Sequence, residues 1–342
     1  MTPLPAPLPP SRGDKHRSKL EIFSSILQTV SQFGAENPDE LDLKMVDTVL
    51  SEMTQAFRTF RPYRNRRKLT IFGSARTQPH EPLYIQAKLV AKAVSDDGWM
   101  VVTGAGPGIM AAGIEGAGAK NALGGNIRLP HEQQPNAFLA SDPKLVEMRY
   151  FFTRKLMLIK ESDAYVVLPG GFGTQDECLE LLTLIQTGKA EPAPVILLDV
   201  KGDNYWSNWL DFVRDALSDR GYIANEDLSL VHLVDEPELA LKVIKEFYSN
   251  YQSCRWVGER LVVRVKKVPE PHVLQSLSRR FSDMVLKDGI KRSDPLRAEI
   301  LDNDSLDLER VVLYFDKRQY GRLHEFIWAL NGDEEKSGSP YF

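Results

Sequence analysis

From Leu69 to Asn250 the chain alternates short apolar runs with helical segments, and this limits the fold more than any other feature. "LTIFGSA", "WMVVTGAGPG", "GGNIRLP", "AYVVLPGG", "APVILLDV" and "LSLVHLVD" read as strands. Between and after them lie six helical stretches: "LYIQAKLVAKAVSDDG" closed by Gly98, "IMAAGIEGAGAKNA", the long "KLVEMRYFFTRKLMLIKES", "TQDECLELLTLIQTG", "YWSNWLDFVRDALSDRG" and "EPELALKVIKEFYSN". Strands that are apolar throughout, each followed by a helix, predict a parallel sheet covered on both faces. Such a sheet binds ligands beyond the carboxyl ends of its strands.

The flanks have a different character. Residues 1–16 form a Pro-rich tail without the apolar stretch of a secretory signal. Residues 17–66 read as two helices and a basic linker, "RPYRNRRK", with apolar residues recurring at Leu20, Phe23, Ile26, Leu27 and Val30. The α/β unit occupies 67–252. A small α+β appendage, expected to regulate or to oligomerise, occupies 255–330, and 331–342 is an acidic tail of disordered character.

Bulk properties exclude several classes. The chain has 342 residues, 42% of them hydrophobic, and a net charge of -4, which argues against a nucleic-acid partner. Two cysteines, Cys178 and Cys254, offer neither a disulfide framework nor a metal cluster and read as small thiols in a reducing cytosol. No apolar run is long enough to cross a membrane, so the cytoplasm is the default compartment.

Three strands end in glycine turns: "FGSAR", "TGAGPGIM" and "PGGFGTQDE". A glycine turn leading into a helix exposes backbone N–H groups beside the positive helix end, which suits a phosphate. The second turn has Gly104, Gly106 and Gly108, but Ile109 stands where the dinucleotide fingerprint needs its last glycine, and no acidic residue ends the next strand. No G-K-[ST] follows either. A nicotinamide dehydrogenase and a nucleoside triphosphatase are thereby disfavoured. In the third turn Gly170, Gly171 and Gly173 let the backbone approach an anion, and Thr174 can cap the helix and donate a hydroxyl. Glu177, three residues on, has two readings. It can close a capping box with Thr174, or it can be a catalytic carboxylate one helical turn from a bound phosphate.

The stretch Pro169-Gly170-Gly171-Phe172-Gly173-Thr174-Gln175-Asp176-Glu177 matches P-G-G-x-G-T-x-x-E in full, and in this the chain resembles the LONELY GUY (LOG) family, long labelled as lysine decarboxylases. "FFTRKLML" supplies the family's Arg-Lys pair as Arg154 and Lys155. "TGAGPGIMAAGIEGA" resembles the family's second turn, with Ala111 where glycine is frequent, and "FGSAR" its first. The resemblance spans roughly residues 67–250. It implies a Rossmann-like dimer or higher homo-oligomer that needs no metal or organic cofactor. It also implies hydrolysis of the N-glycosidic bond of a purine nucleoside 5′-monophosphate, AMP or a cytokinin ribotide, to free base and ribose 5-phosphate. Glu177 would stabilise the oxocarbenium-like cation and orient or deprotonate water, and Arg154 would hold the base or fix Glu177. Gly170, Gly171, Gly173, Thr174, Lys155, Ser74, Gly106, Gly108 and Met110 would hold the substrate and its phosphate, with the "GIM" and "RYFF" side chains around the base. The decarboxylase label needs a Schiff-base lysine with a pyridinium partner, a context no lysine here offers. The alternative is a nucleotide-binding regulatory module that signals to a protein partner through the extra segments.

Overall fold

The computed structural model describes residues 18–127 and 142–332. The 1–16 tail, the end of "GGNIRLP" from Arg128 and the 331–342 tail beyond Gly332 lie outside them.

Seven strands form one parallel sheet: β1 (Lys68–Phe72), β2 (Met100–Thr103), β3 (Ala122–Ile127), β4 (Leu145–Met148), β5 (Ala164–Val167), β6 (Val195–Leu198) and β7 (Val231–Val234). Their spatial order is β4-β3-β2-β1-β5-β6-β7. The chain therefore winds outward from β1 to β4, then returns to the other side of β1 and winds the opposite way. The reversal leaves a crevice above the carboxyl ends of β1 and β5, where an open α/β sheet takes its ligand.

Side-chain alternation divides the core into two layers. Leu69, Ile71, Val101, Ala164, Val166 and Ile196 face α3 (Pro82–Asp96), α4 (Ile109–Ala117) and α8 (Pro237–Phe247). Phe72, Val102, Tyr165, Val167 and Leu197 face α2 (Glu40–Phe60), α5 (Phe151–Lys160), α6 (Phe172–Gln186) and α7 (Tyr205–Val213). The N-terminal α1 (Lys19–Ala35) has a complete capping box at Ser18 and Glu21 and buries no residue.

A second, antiparallel sheet has the order β10-β11-β9-β8, from β8 (Tyr251–Val257), β9 (Arg260–Val265), β10 (Lys291–Ser293) and β11 (Glu309–Leu313). It carries α9 (Pro271–Arg280), α10 (Arg297–Asp302) and α11 (Tyr320–Leu330). Its apolar core is continuous with the α3/α4/α8 layer, because α11 lays Trp328 against Phe247 and His232. At Gly188, with φ of 66°, the ring of Tyr320 comes so close that a Cβ would lie 2.0 Å from it.

The single long helix expected over 144–162 is instead β4 followed by α5. The spacing of Leu145 and Met148 suits either period, but the free edge of β3 offers a parallel ladder from Leu145 to Met148, and this pairing overrides helix propensity. β8 escapes a search for apolar runs because its residues from Gln252 to Val257 are only half-buried, and its ladder is irregular between Tyr251 and Ser253.

Candidate active site

All three glycine turns meet above the β1–β5 reversal, each seated against the next. The Ser74 N–H donates to the Pro169 carbonyl at 3.3 Å, and the Ile109 N–H donates to the Ser74 carbonyl at 3.0 Å. Gly108, with φ of 64°, passes so close to the first turn that a Cβ would lie 2.3 Å from the Ser74 oxygen. At Gly170 a Cβ would lie 2.1 Å from Thr174 Oγ1 and 3.0 Å from Ser74 N. These two glycines are required by packing of turn on turn. Gly171 and Gly173 differ, since a Cβ at either would meet nothing within 4 Å. They face open space, where bareness leaves room for a ligand rather than for protein. Gly106 is buried in the second turn.

α6 begins at Phe172 with Gly171 as its N-cap, and no side chain caps it. Its first-turn N–H groups have no partners within the helix and carry the positive end of its dipole. Thr174 therefore lies inside the helix, and Glu177 one turn further in. The capping-box reading is corrected: the glycine turn enters helical geometry three residues earlier than a Thr174 cap requires, and Glu177 is turned to another partner.

That partner is Arg154. Its Nη2 donates to Glu177 Oε1 at 2.7 Å, with only 7% of the arginine and 9% of the glutamate exposed. Burial pushes the Glu177 carboxyl up to about 7, and the Arg154 guanidinium offsets only part of that rise. Arg154 Nε is also buried and has no partner among the described residues. A buried donor left unpaired is destabilising, and an acceptor on a ligand in the crevice would satisfy this one. The guanidinium stands over the Phe151 ring, 5.2 Å from its centroid. Gly104 completes the contact: a Cβ there would lie 2.6 Å from Met110 Sδ and 3.1 Å from Arg154 Nη1. Met110, Arg154, Glu177, Ser74 and the Gly170–Thr174 turn thus share one crevice.

Lys155 is engaged otherwise. Its Nζ lies 2.9 Å from Asp176 and 2.5 Å from Glu180, tying α5 to α6. Burial lowers its pKa, but the carboxylates of Glu180 and Asp176 outweigh that and hold the ammonium charged. A decarboxylase's Schiff base needs a neutral amine, and this lysine does not fit that role.

One residue that supports the turn escaped sequence reasoning. The Tyr205 hydroxyl, at the start of α7, donates to the Gly170 carbonyl at 2.6 Å and accepts from Gln175 Nε2 at 2.7 Å. No local pattern in "YWSNWLDF" marks it. Of the two thiols, Cys178 is buried on α6 and pushed up to about 12 by that burial, while Cys254 lies partly exposed on β8. Among the described residues no helix is long and apolar enough to cross a membrane, and no His/Cys/Asp/Glu group could hold a metal ion.

A parallel α/β sheet with three glycine turns and a buried Arg–Glu pair at its switch point defines a Rossmann-like fold. Comparison with known proteins narrows it. Residues 94–244 match the family described as "Possible lysine decarboxylase". The chain is 32% identical over 112 residues to cytokinin riboside 5′-monophosphate phosphoribohydrolase LOG4 of Arabidopsis thaliana, and 34% identical over 112 residues to LOG3 of the same plant. Each match covers 32% of this chain and 50% of the relative, so the chain spans half the length of these curated proteins. Among solved structures it aligns with the molybdenum cofactor binding protein of Rippkaea orientalis over 53% of this chain and 96% of that one, at 22% identity and a TM-score of 0.39. Over this stretch the chain is similar to the LONELY GUY phosphoribohydrolases.

Proposed function

We propose that the crevice binds a purine nucleoside 5′-monophosphate, AMP or a cytokinin ribotide, and hydrolyses its N-glycosidic bond. The observation that carries this reading is the buried Arg154–Glu177 pair, its Arg154 Nε unpaired among the described residues, beside a glycine turn that no side chain caps. The names of the curated relatives support the reaction class.

The 5′-phosphate sits on the open side of Gly171 and Gly173, against the first-turn N–H groups of α6. Holding it there places the ribose over Glu177. As the bond from C1′ to the base nitrogen breaks, positive charge develops on the sugar ring, and the Glu177 carboxylate stabilises it. A carboxyl that titrates at about 7 is also a competent base near neutrality, so Glu177 takes a proton from the water that bonds to C1′. Arg154 Nε donates to the substrate, and Lys155 fixes α5 on α6.

A homo-oligomer belongs to the same proposal. Phe151, Phe152 and Leu156 of α5, with Phe172 and Leu179 of α6, are large apolar side chains left exposed around the crevice, Phe172 by 96%. Size-exclusion chromatography reads the assembly. For activity, the test is incubation with AMP and chromatography for adenine. Release of adenine from AMP, with adenosine at least about 100-fold poorer in kcat/KM, is the expected result, because a site built around a charged group rejects an analogue lacking it. Binding of AMP without adenine release would overturn the enzyme reading and leave a binding module. Equal turnover of adenosine would remove the phosphate cradle from it.

A further inference from the structure

Glu52 belongs to the N-terminal extension in sequence and to the crevice's supporting structure in space. It lies on the apolar stripe of α2 with Val49, Met53, Ala56 and Phe60, and its side chain is buried. One carboxylate oxygen accepts the Arg149 backbone N–H at 2.5 Å, and the other accepts the Thr153 hydroxyl at 2.6 Å. The Thr153 hydroxyl also lies 2.8 Å from the Tyr150 carbonyl, and its single proton goes to the charged acceptor. Both donors flank the start of α5, whose N-cap, Tyr150, makes no capping bond of its own. An anion here also meets the positive end of the helix dipole. Isolated burial of a carboxylate is destabilising, so two bonds from one helix start mark a role that an apolar side chain could not fill.

The residue after Thr153 is Arg154. Its bond to Glu177 crosses from α5 to α6, and Gly104 and Met110 leave it little clearance on the other side. We propose that Glu52 is a positioning residue: the N-terminal extension sets the first turn of α5, and through it the Arg154 guanidinium against the Glu177 carboxylate. The hydrolase reading above supplies only the activity readout. A displacement of about 1 Å at the reacting groups is enough to reduce turnover by up to about 100-fold.

The test uses the full chain as wild type, Glu52→Ala, Glu52→Gln and Thr153→Val. Three measurements are made: AMP turnover from pH 5 to 9, thermal unfolding, and titration of Glu177 by carboxyl ¹³C NMR on glutamate-labelled protein, assigned with Glu177→Gln. Glu52→Ala is expected to lower kcat by about 10- to 100-fold. It should also move the Glu177 midpoint above its wild-type value, since a displaced Arg154 no longer offsets burial. Glu52→Gln keeps an oxygen that can accept one of the two bonds and should recover part of both effects. Thr153→Val removes one donor at nearly constant shape and should move both readouts the same way by less, which decides the matter if Glu52→Ala does not fold. Variants with lowered melting temperature but unchanged kcat and an unchanged Glu177 midpoint would show that Glu52 only braces the fold, and would overturn the proposal. Wild type without AMP turnover sinks the hydrolase reading alone, and the Glu177 titration then decides on Glu52 by itself.

Discussion

Glu177 of the crevice and Glu299 of the second sheet are both glutamates buried against arginine, yet their surroundings push their carboxyls in opposite directions. Glu177 has one bond, from Arg154, and burial prevails, raising it to about 7. At Glu299 burial also raises the pKa, but the Leu296 N–H at 3.0 Å, Arg264 Nη2 at 2.8 Å and Arg310 Nη1 at 3.0 Å outweigh it, and the carboxyl is held below its ordinary range. Arg264 is itself shared with Asp304, which Arg255 also pairs. The difference teaches that donors converging on a carboxylate, set against the cost of its burial, decide whether it is a fixed anion or a group able to exchange a proton near neutrality. The second sheet gathers three partners around Glu299, while Glu177 has Arg154 alone.

The largest effect should come from breaking the network around Glu299. Glu299→Ala leaves Arg264 and Arg310 buried around an empty site, and removal of one partner from a buried pair typically destabilises by about 3–5 kcal/mol. Urea unfolding should show a loss in that range, with turnover per folded molecule unchanged. A loss below about 1 kcal/mol would mean that the network is no more than an ordinary surface ion pair in its contribution, and the contrast with Glu177 would fail.

Next comes the open pair. Glu177→Gln keeps shape and one acceptor but removes the charge that faces the developing cation. Turnover of AMP should fall by about 100-fold or more while AMP binding, read by calorimetry, is retained. Near wild-type turnover would strip Glu177 of its catalytic assignment.

The same contrast shows what could be read from the sequence. Glu177 sits in a contiguous motif, and the glycines around it have a local reason visible in the letters: a strand must end and a helix must begin. The three turns lie at strand ends in a strand–helix alternation, so their convergence follows from the parallel sheet. Glu299 and its arginines are separated by 35 and 11 positions and meet only through antiparallel pairing of β9 and β11, which leaves no local pattern. Tyr205 and Glu52 likewise act on turns distant in the chain. Glu52 alone left a trace, as an acid within an apolar stripe. β4 was misread because four residues carry too little periodicity to outvote the helix that follows.

A smaller effect follows from the raised carboxyl and separates the two glutamates by pH. The folded state holds the Glu177 proton up to about 7, against an ordinary value of 4.5, so between these pH values it binds more protons than the unfolded chain. Stability from this group is fully present below about pH 4.5 and is lost as pH rises through 7. Glu177→Gln, neutral throughout, escapes that loss. Relative to wild type its unfolding free energy should rise by about 1–3 kcal/mol between pH 5 and pH 8.5, measured in urea. Glu299 lies on the other side of its ordinary value, so its contribution is present above that value and falls away as pH drops. A flat difference between Glu177→Gln and wild type would show that the carboxyl is not held up by burial.

The smallest effect tests whether the open side of the crevice is held in place from behind. Tyr205 has no part in the Arg154–Glu177 pair, and its hydroxyl binds the back of the third glycine turn by donating to the Gly170 carbonyl. Gln175, on the first turns of α6, donates to that same hydroxyl, so one oxygen fixes both the turn and the helix start that follows it. Tyr205→Phe keeps the ring against Trp206 and removes only the hydroxyl. A lost neutral hydrogen bond of this kind amounts to about 1 kcal/mol, a factor of about 5. If the turn holds the phosphate as proposed, the hydroxyl supports it and not the Arg154–Glu177 pair, so the change should appear in KM for AMP, with kcat nearly constant and little effect on adenosine. A fall in kcat at constant KM would place Tyr205 in the chemistry instead, and would mean that the turn and the acid are mechanically one unit.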